Sequence, residues 1–528
     1  MNISYSWKTS LVFFRGFRGL TFRLVLTSRQ RFPDFWSVPG RQVRRLSSNN
    51  SGSLTVQLAL PSPTSERGYN VPYPAIYWLN DDILLNIFNC YRLYGDGLWN
   101  IRLGWCKLSH VCQRWRHLMF ESAFHLDMYI ECASGTPILN TLDHIPPLPL
   151  FINYKNPITK EDEKGIYYAL GLHDRVRHIH LDLSSSILHK VLVLLDEYFP
   201  LLEHLSLSFA AENSIPIAFP KAFLAPSLRH LALPGINPPK RLRLLTFAVS
   251  LVILHLSNIE TSSYFRPRLL VARLRSLPQL AELSISFSTP IPRPSAEMEL
   301  LGEQGTPVTL PNLQTLQFKG VSAYLESVIA QIRVPLLKWF VITLFNQIAF
   351  ALPHLSRFIN RIEGSQLPAL RIHFDPNEVS IVTACHHDGS PWFDSAPLFL
   401  RVMCNCKQLD WQIDCATQIC NALGPAIIGV ERFTLDCYYL EIPTAFQNGT
   451  IDSTTWHELL RSFIGVKELH VADALLEEFS RALQEDDIGS HPGILPNLQY
   501  IRAADNLFTV FIDARQAVGR PVQFLRLY

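Results

Sequence analysis

The chain has 528 residues, of which 48% are hydrophobic and 17% charged, with a formal net charge of +2. So much apolar material excludes a disordered acidic or low-complexity protein, and so small a net charge excludes an overall field that draws in nucleic acid or an anionic membrane. No run reaches the roughly 18 apolar residues of a membrane-spanning helix. The ten cysteines lack framework spacing, which points to reduced thiols rather than a disulfide scaffold.

The first 45 residues hold nine Lys or Arg and one acid, Asp34. An Arg-rich, Ser-bearing, acid-poor start is the composition of an organelle transit peptide, and equally of a basic disordered leader. Residues 46–72 continue with Ser, Asn, Pro and Gly and read as a linker, so 1–72 is expected to be leader and linker.

Two amphipathic helices are predicted next, within a head spanning 73–125. Asn80 precedes Asp81 and Asp82, a cap followed by acids that suit the helix dipole. Ile83, Leu84, Ile87, Phe88 and Tyr91 then lie on one helical face. After a loop with Gly95, Asp96 and Gly97, a second face is formed by Trp105, Leu108, Val111, Cys112, Trp115, Leu118 and Met119. Two short helices cannot bury these faces alone, so they are expected to pack on a neighbouring domain or on another chain.

The segment Leu79-Asn80-Asp81-Asp82-Ile83-Leu84-Leu85-Asn86-Ile87-Phe88, followed by Leu108-Ser109-His110-Val111-Cys112-Gln113-Arg114-Trp115-Arg116-His117-Leu118, resembles an F-box. The family usually has Leu-Pro where this chain has Leu79-Asn80. Ser134-Gly135-Thr136-Pro137 and Ile145-Pro146-Pro147-Leu148-Pro149-Leu150 are similar to the F-box family of mushroom-forming (basidiomycete) fungi. So are Tyr324-Leu325-Glu326, Phe345-Asn346-Gln347, Phe511 to Gln516 and Gly519 to Val522. The resemblance implies the substrate-recognition subunit of an SCF (cullin–RING) ubiquitin ligase, whose head docks on a Skp-type adaptor and through it the cullin. It implies that Leu79, Ile83, Leu84, Ile87, Phe88, Val111, Cys112, Trp115 and Leu118 face that adaptor or the core of the head. The competing expectation is a protein-interaction scaffold outside any ligase, with an organelle-targeted protein as a third.

Residues 126–175 read as a connector. From 176 to 528 a phrase recurs, apolar-x-x-apolar-x-apolar. Its copies start at Val176, Leu202, Leu228, Leu251, Leu280, Leu313, Leu337, Leu367, Val430, Val466 and Leu498. The middle positions of the first three copies, 179, 205 and 231, are 26 apart. That period belongs to leucine-rich repeats, each a strand plus a helix stacking its apolar face on the next. The expected fold class is therefore α/β: a short helical head, then a leucine-rich-repeat-like solenoid with a parallel sheet on its concave face. Helical halves are expected over 187–199 and 325–332, and loops over 289–307 and 375–397.

In each copy, residues flanking the middle apolar position point to the open sheet face. His178, His204 and His230 occupy one position in successive copies, with His255, Trp339, Arg432 and Tyr500 further along; these are the expected client-binding residues. The histidine row suits either a metal- or pH-sensitive patch or ordinary surface histidines. No carboxylate or Cys recurs beside it, which favours the latter. Cys385, His386, His387, Cys404, Cys406, Cys415 and Cys420 contain no Cys-x-x-Cys pair and are expected to be core thiols rather than zinc ligands. His457-Glu458-Leu459-Leu460 is followed by Arg461 where a zincin needs His, and no phosphate-binding glycine loop or Gly-x-Ser-x-Gly elbow occurs. The expectation is a non-catalytic receptor without cofactor or metal, binding a client protein and neither nucleic acid nor membrane. It is placed in the cytoplasm or nucleus, with mitochondria as the alternative from the basic leader.

Overall fold

A computed structural model describes residues 11–16, 19–25, 53–55, 78–94, 106–122 and most of 126–526. The larger segments outside the description are 210–216, 291–305, 384–397, 438–452 and 485–493. Most of the expected loops at 289–307 and 375–397, together with Trp105, Cys385, His386 and His387, therefore lie outside the described residues. The chain divides into two units, one of Met1–Cys132 with Thr136–Leu150, the other of Ala133–Gly135 with Phe151–Tyr528.

In the first unit, the segment expected to be disordered contains three antiparallel strands, Leu11–Gly16, Gly19–Val25 and Ser53–Thr55. β-formers such as Val12, Phe13, Phe14, Thr21, Phe22 and Val25 supply the reason. Helix α1 (Asp81–Tyr94) starts as its sequence dictates: the Asn80 Oδ1 accepts the Ile83 N–H at 3.0 Å. The expected second helix is broken. A short α2 (Cys106–Ser109) is followed by a turn and by α3 (Gln113–Glu121). Cys112 has extended backbone and its sulfur accepts the Trp115 N–H, so it acts as an N-cap.

Among the described residues, the second unit contains fifteen strands of one sheet. In chain order they are β1 (Leu150–Lys155), β2 (Val176–Leu183), β3 (His204–Phe209), β4 (His230–Pro234) and β5 (Ile253–Ile259). Then come β6 (Glu282–Phe287), β7 (Thr315–Gly320), β8 (Trp339–Leu344), β9 (Ala369–Asp375) and β10 (Glu378–Thr383). The last are β11 (Phe399–Cys404), β12 (Arg432–Cys437), β13 (Glu468–Val471), β14 (Tyr500–Ala503) and β15 (Gln523–Arg526). Every copy of the repeated phrase falls on one of these strands. Helices alternate with them, among them Lys160–Gly171, Ser185–Leu194, Pro267–Leu274, Ser322–Ile329, Leu409–Leu423, Ser453–Leu460 and Leu476–Gln484. The architecture is a leucine-rich-repeat-like α/β solenoid. No described helix is long and apolar enough to cross a membrane.

The middle apolar positions stack in register. Ile179, Leu205, Leu231, Leu254, Leu283, Leu316 and Phe340 pair strand to strand. All are buried, and each such side chain contributes about 1.5–3 kcal/mol by leaving water. The helical halves cover this inner face, while the other face of the sheet stays half-exposed.

Two features depart from the expected array. The solenoid begins before 176: the expected connector supplies β1 and the helix Lys160–Gly171, a strand-plus-helix unit of its own. That helix starts with a reciprocal cap, in which Thr159 Oγ1 accepts the Asp162 N–H and Asp162 Oδ2 accepts the Thr159 N–H. The sheet is also not wholly parallel. In space the order is β12-β9-β10-β11-β8, and β10 runs antiparallel to both neighbours. Phe340 therefore pairs with Leu400 of β11, while Leu370 continues towards Phe433, Leu469 and Ile501. The array is two parallel runs joined by one reversed strand, which occupies part of the segment expected to be a loop.

Candidate functional site

The head divides the expected adaptor residues by exposure. Leu84, Phe88 and Trp115 are buried, and the Phe88 and Trp115 rings meet edge to face at 4.9 Å. These three side chains point inward, and the Phe88–Trp115 contact joins α1 to α3. Leu79, Ile87, Cys112 and Leu118 are half-buried. Ile83 and Val111 are exposed, at 46% and 56%, as is Trp78 at 74%. Arg114 clamps the arrangement: its guanidinium donates to the Leu79 carbonyl at 2.7 Å and to Asp81 Oδ1 at 2.6 Å. Arg116 likewise donates to the Ser109 carbonyl at 3.0 Å, tying α3 to α2.

On the open sheet face, register assembles the histidines as their spacing predicts. His178, His204 and His230 sit directly opposite one another on β2, β3 and β4. The first two rings stack at 4.0 Å and 4° between planes, the next two at 4.0 Å and 25°. His255 closes the row edge to face against His230, and its Nε2 lies 2.9 Å from Glu282 Oε1. Phe151 of β1 stacks on His178 at 5.1 Å. Sequence reasoning missed Phe151 because it precedes the first copy of the phrase; the alternation Leu150, Ile152, Tyr154 was the available signal.

Burial favours the neutral form of His178, His204 and His230. His178 is pushed down to about 4, first by burial and then by the neighbouring His180 and His230. His204 is pushed down to about 3 by burial and by His178, His230 and His180. His230 is lowered as well, chiefly by burial. Near neutrality His178, His204 and His230 make a stack of flat uncharged rings, each with nitrogen atoms able to donate or accept.

Trp339, Arg432 and Tyr500 do not join that stack. Trp339 lies on β8, where its ring meets Phe399 of β11 at 4.8 Å. Arg432 and Tyr500 belong to the second parallel run, one on each side of Glu468. That half of the face is charged. Arg371 and His373 approach Asp436 at 3.9 and 3.8 Å, Arg401 approaches Glu378 at 3.7 Å, and Arg502 pairs with Glu468. The Asp436 carboxyl is held below its usual range by the hydrogen bond from His373, with Arg371 adding to it. The face thus has an aromatic and imidazole half on β1 to β5 and an ion-paired half on β9 to β14.

No protein-family model matches the chain, and no curated protein matches it. Among solved structures, the crystal structure of a TLR13–ssRNA13 complex is similar to it with 12% sequence identity and a TM-score of 0.26. The match covers 76% of this chain and 49% of that one, so the chain spans about half the length of that protein. The strand register itself defines the repeat fold here.

Proposed function

We propose that the protein is the substrate receptor of an SCF-type ubiquitin ligase, its helical head binding a Skp-type adaptor and its solenoid holding a client protein. The observation that carries this reading is the head: a motif resembling an F-box buries Leu84, Phe88 and Trp115, the last two in ring contact. It leaves the apolar side chains Ile83 and Val111 in water beside the Arg114 clamp. Exposed aliphatic residues on a pinned helical frame suit helix packing against another chain. Asn80, which replaces the usual proline, caps α1, so the change leaves the start of the helix intact.

The chain supplies position rather than bond chemistry in this reading. The adaptor fixes the head, and the open sheet face holds the client where the ligase acts on it. Flat neutral rings on one half and ion pairs on the other favour a client with an apolar or aromatic segment beside a charged one. A cytoplasmic or nuclear location accords with that role. The test is capture of purified Skp-type adaptor by the full chain, compared with Ile83→Asp/Val111→Asp. Loss of capture by a folded double variant is expected; undiminished capture would overturn the assignment of that surface.

A further inference from the structure

β11 ends on the inner face of the sheet at Cys404, which is fully buried. Two residues on, in the turn after the strand, Cys406 is 2% exposed. The helix Leu409–Leu423 then returns over the turn and brings in Cys415, 4% exposed. Strand, turn and helix so converge three thiols that no sequence motif joins. Their sulfur atoms all lie within 4.8 Å of one another, and Cys404 Sγ to Cys415 Sγ is 3.7 Å.

The surroundings fix this convergence. Gln412, one turn before Cys415 and fully buried, donates from Nε2 to the Cys406 carbonyl at 2.8 Å and to the Asp375 carbonyl at 2.7 Å. Its Oε1 is buried without a hydrogen-bond partner. The Cys406 Sγ lies 3.7 Å from the Cys404 carbonyl oxygen, to which it donates. The cluster lies where the two parallel runs of the sheet are joined, which is where repeat-to-repeat stacking is interrupted.

We propose that Cys404, Cys406 and Cys415 form a binding site for a thiophilic d10 cation, copper(I) or zinc(II). Metal–sulfur bonds of about 2.3 Å require sulfurs about 3.8–4.0 Å apart, so the thiols need to move by less than about 1 Å. Soft sulfur donors select these ions over magnesium or calcium, which take oxygen ligands. Among the described residues the cluster contains cysteines alone. Each S–H that becomes a metal–sulfur bond gives its proton to solvent, and no oxidant or reductant takes part. The bound ion would cross-link β11, its turn and the following helix.

The test uses the full chain, purified reduced and metal-free. It is offered copper(I) from a bicinchoninate complex, or zinc(II) against a chromophoric chelator, then desalted and assayed for metal. One ion retained per chain is expected, with at least tenfold less retained by Cys406→Ser/Cys415→Ser and no change in Cys90→Ser, whose thiol is exposed elsewhere. Retention of copper alone would identify a three-coordinate site, and retention of zinc a site completed by a fourth donor. Cadmium(II) titrated into the wild-type chain should also develop thiolate-to-metal charge-transfer absorption, a readout that needs no variant to fold. Failure of the wild type to hold either ion, equal retention by the double variant, or no such absorption would overturn the proposal.

Discussion

Glu326 makes a single carboxyl group responsible for a pH dependence of the solenoid. It sits on the helix Ser322–Ile329, every residue of which is buried, and is itself 1% exposed. Its Oε2 accepts the His354 N–H at 2.8 Å at the start of the helix Leu355–Ile359, while Oε1 is buried without a partner. Burial pushes the carboxyl up to about 7 from 4.5, against the lowering effect of the His354 and Leu355 amides. The folded state therefore keeps a proton that the unfolded chain releases at about 4.5. Stability falls as pH rises from about 4.5 to about 7 and levels off above it. A difference of about 2.5 between the two values corresponds to roughly 3 kcal/mol across that window. Glu326→Gln retains a carbonyl for the His354 amide and removes the ionisation. Urea midpoints of wild type and variant should agree near pH 5 and diverge by pH 8, the variant gaining up to about 3 kcal/mol. Parallel pH profiles would refute the reasoning, because they would mean that the carboxylate is solvated or paired in the folded chain.

The histidine stack has its own pH window. His178 and His204 are depressed to about 4 and about 3, so the stability tied to their neutrality is present above pH 6.5 and is lost as pH falls through that window. His204→Phe keeps a flat ring between its neighbours, and its thermal midpoint should fall less between pH 7 and pH 4.5 than that of the wild type. At Gly465, an added Cβ would collide with the Ile428 carbonyl oxygen, a backbone atom that cannot swing aside. Gly465→Ala should lower stability by about 1–3 kcal/mol in denaturant unfolding, and an unchanged midpoint would show that the backbone there yields freely.

The solenoid was legible because each strand repeats one phrase whose apolar residues must stack, so spacing alone placed Ile179, Leu205 and Leu231 in register. The same spacing aligns His178, His204 and His230 in one row. The reversed strand β10 was not legible, since Val379 and Ile381 sit in a short alternation that the phrase does not contain. β11 was hidden for the same reason: Leu398, Leu400 and Val402 alternate without the wider gap of a repeat. The single helix expected across Val111 and Cys112 breaks because a cysteine serves as the cap, and Cys carries none of the usual capping signal. The head showed its apolar residues but not their division, since Ile83 and Leu84 differ in exposure through a turn of about 100° on one helix. The three-thiol cluster was invisible as a motif, because a strand end, a turn and a helix bring together residues that share no local pattern.

Adaptor capture tests the receptor proposal most directly. Full-length chain and its Ile83→Asp/Val111→Asp variant, both verified as folded by circular dichroism, would be titrated with purified Skp-type adaptor by calorimetry. Saturable binding by the wild type and loss of at least tenfold in affinity for the variant are the expected result. Equal affinity for both chains, or no binding by the folded wild type, would contradict it.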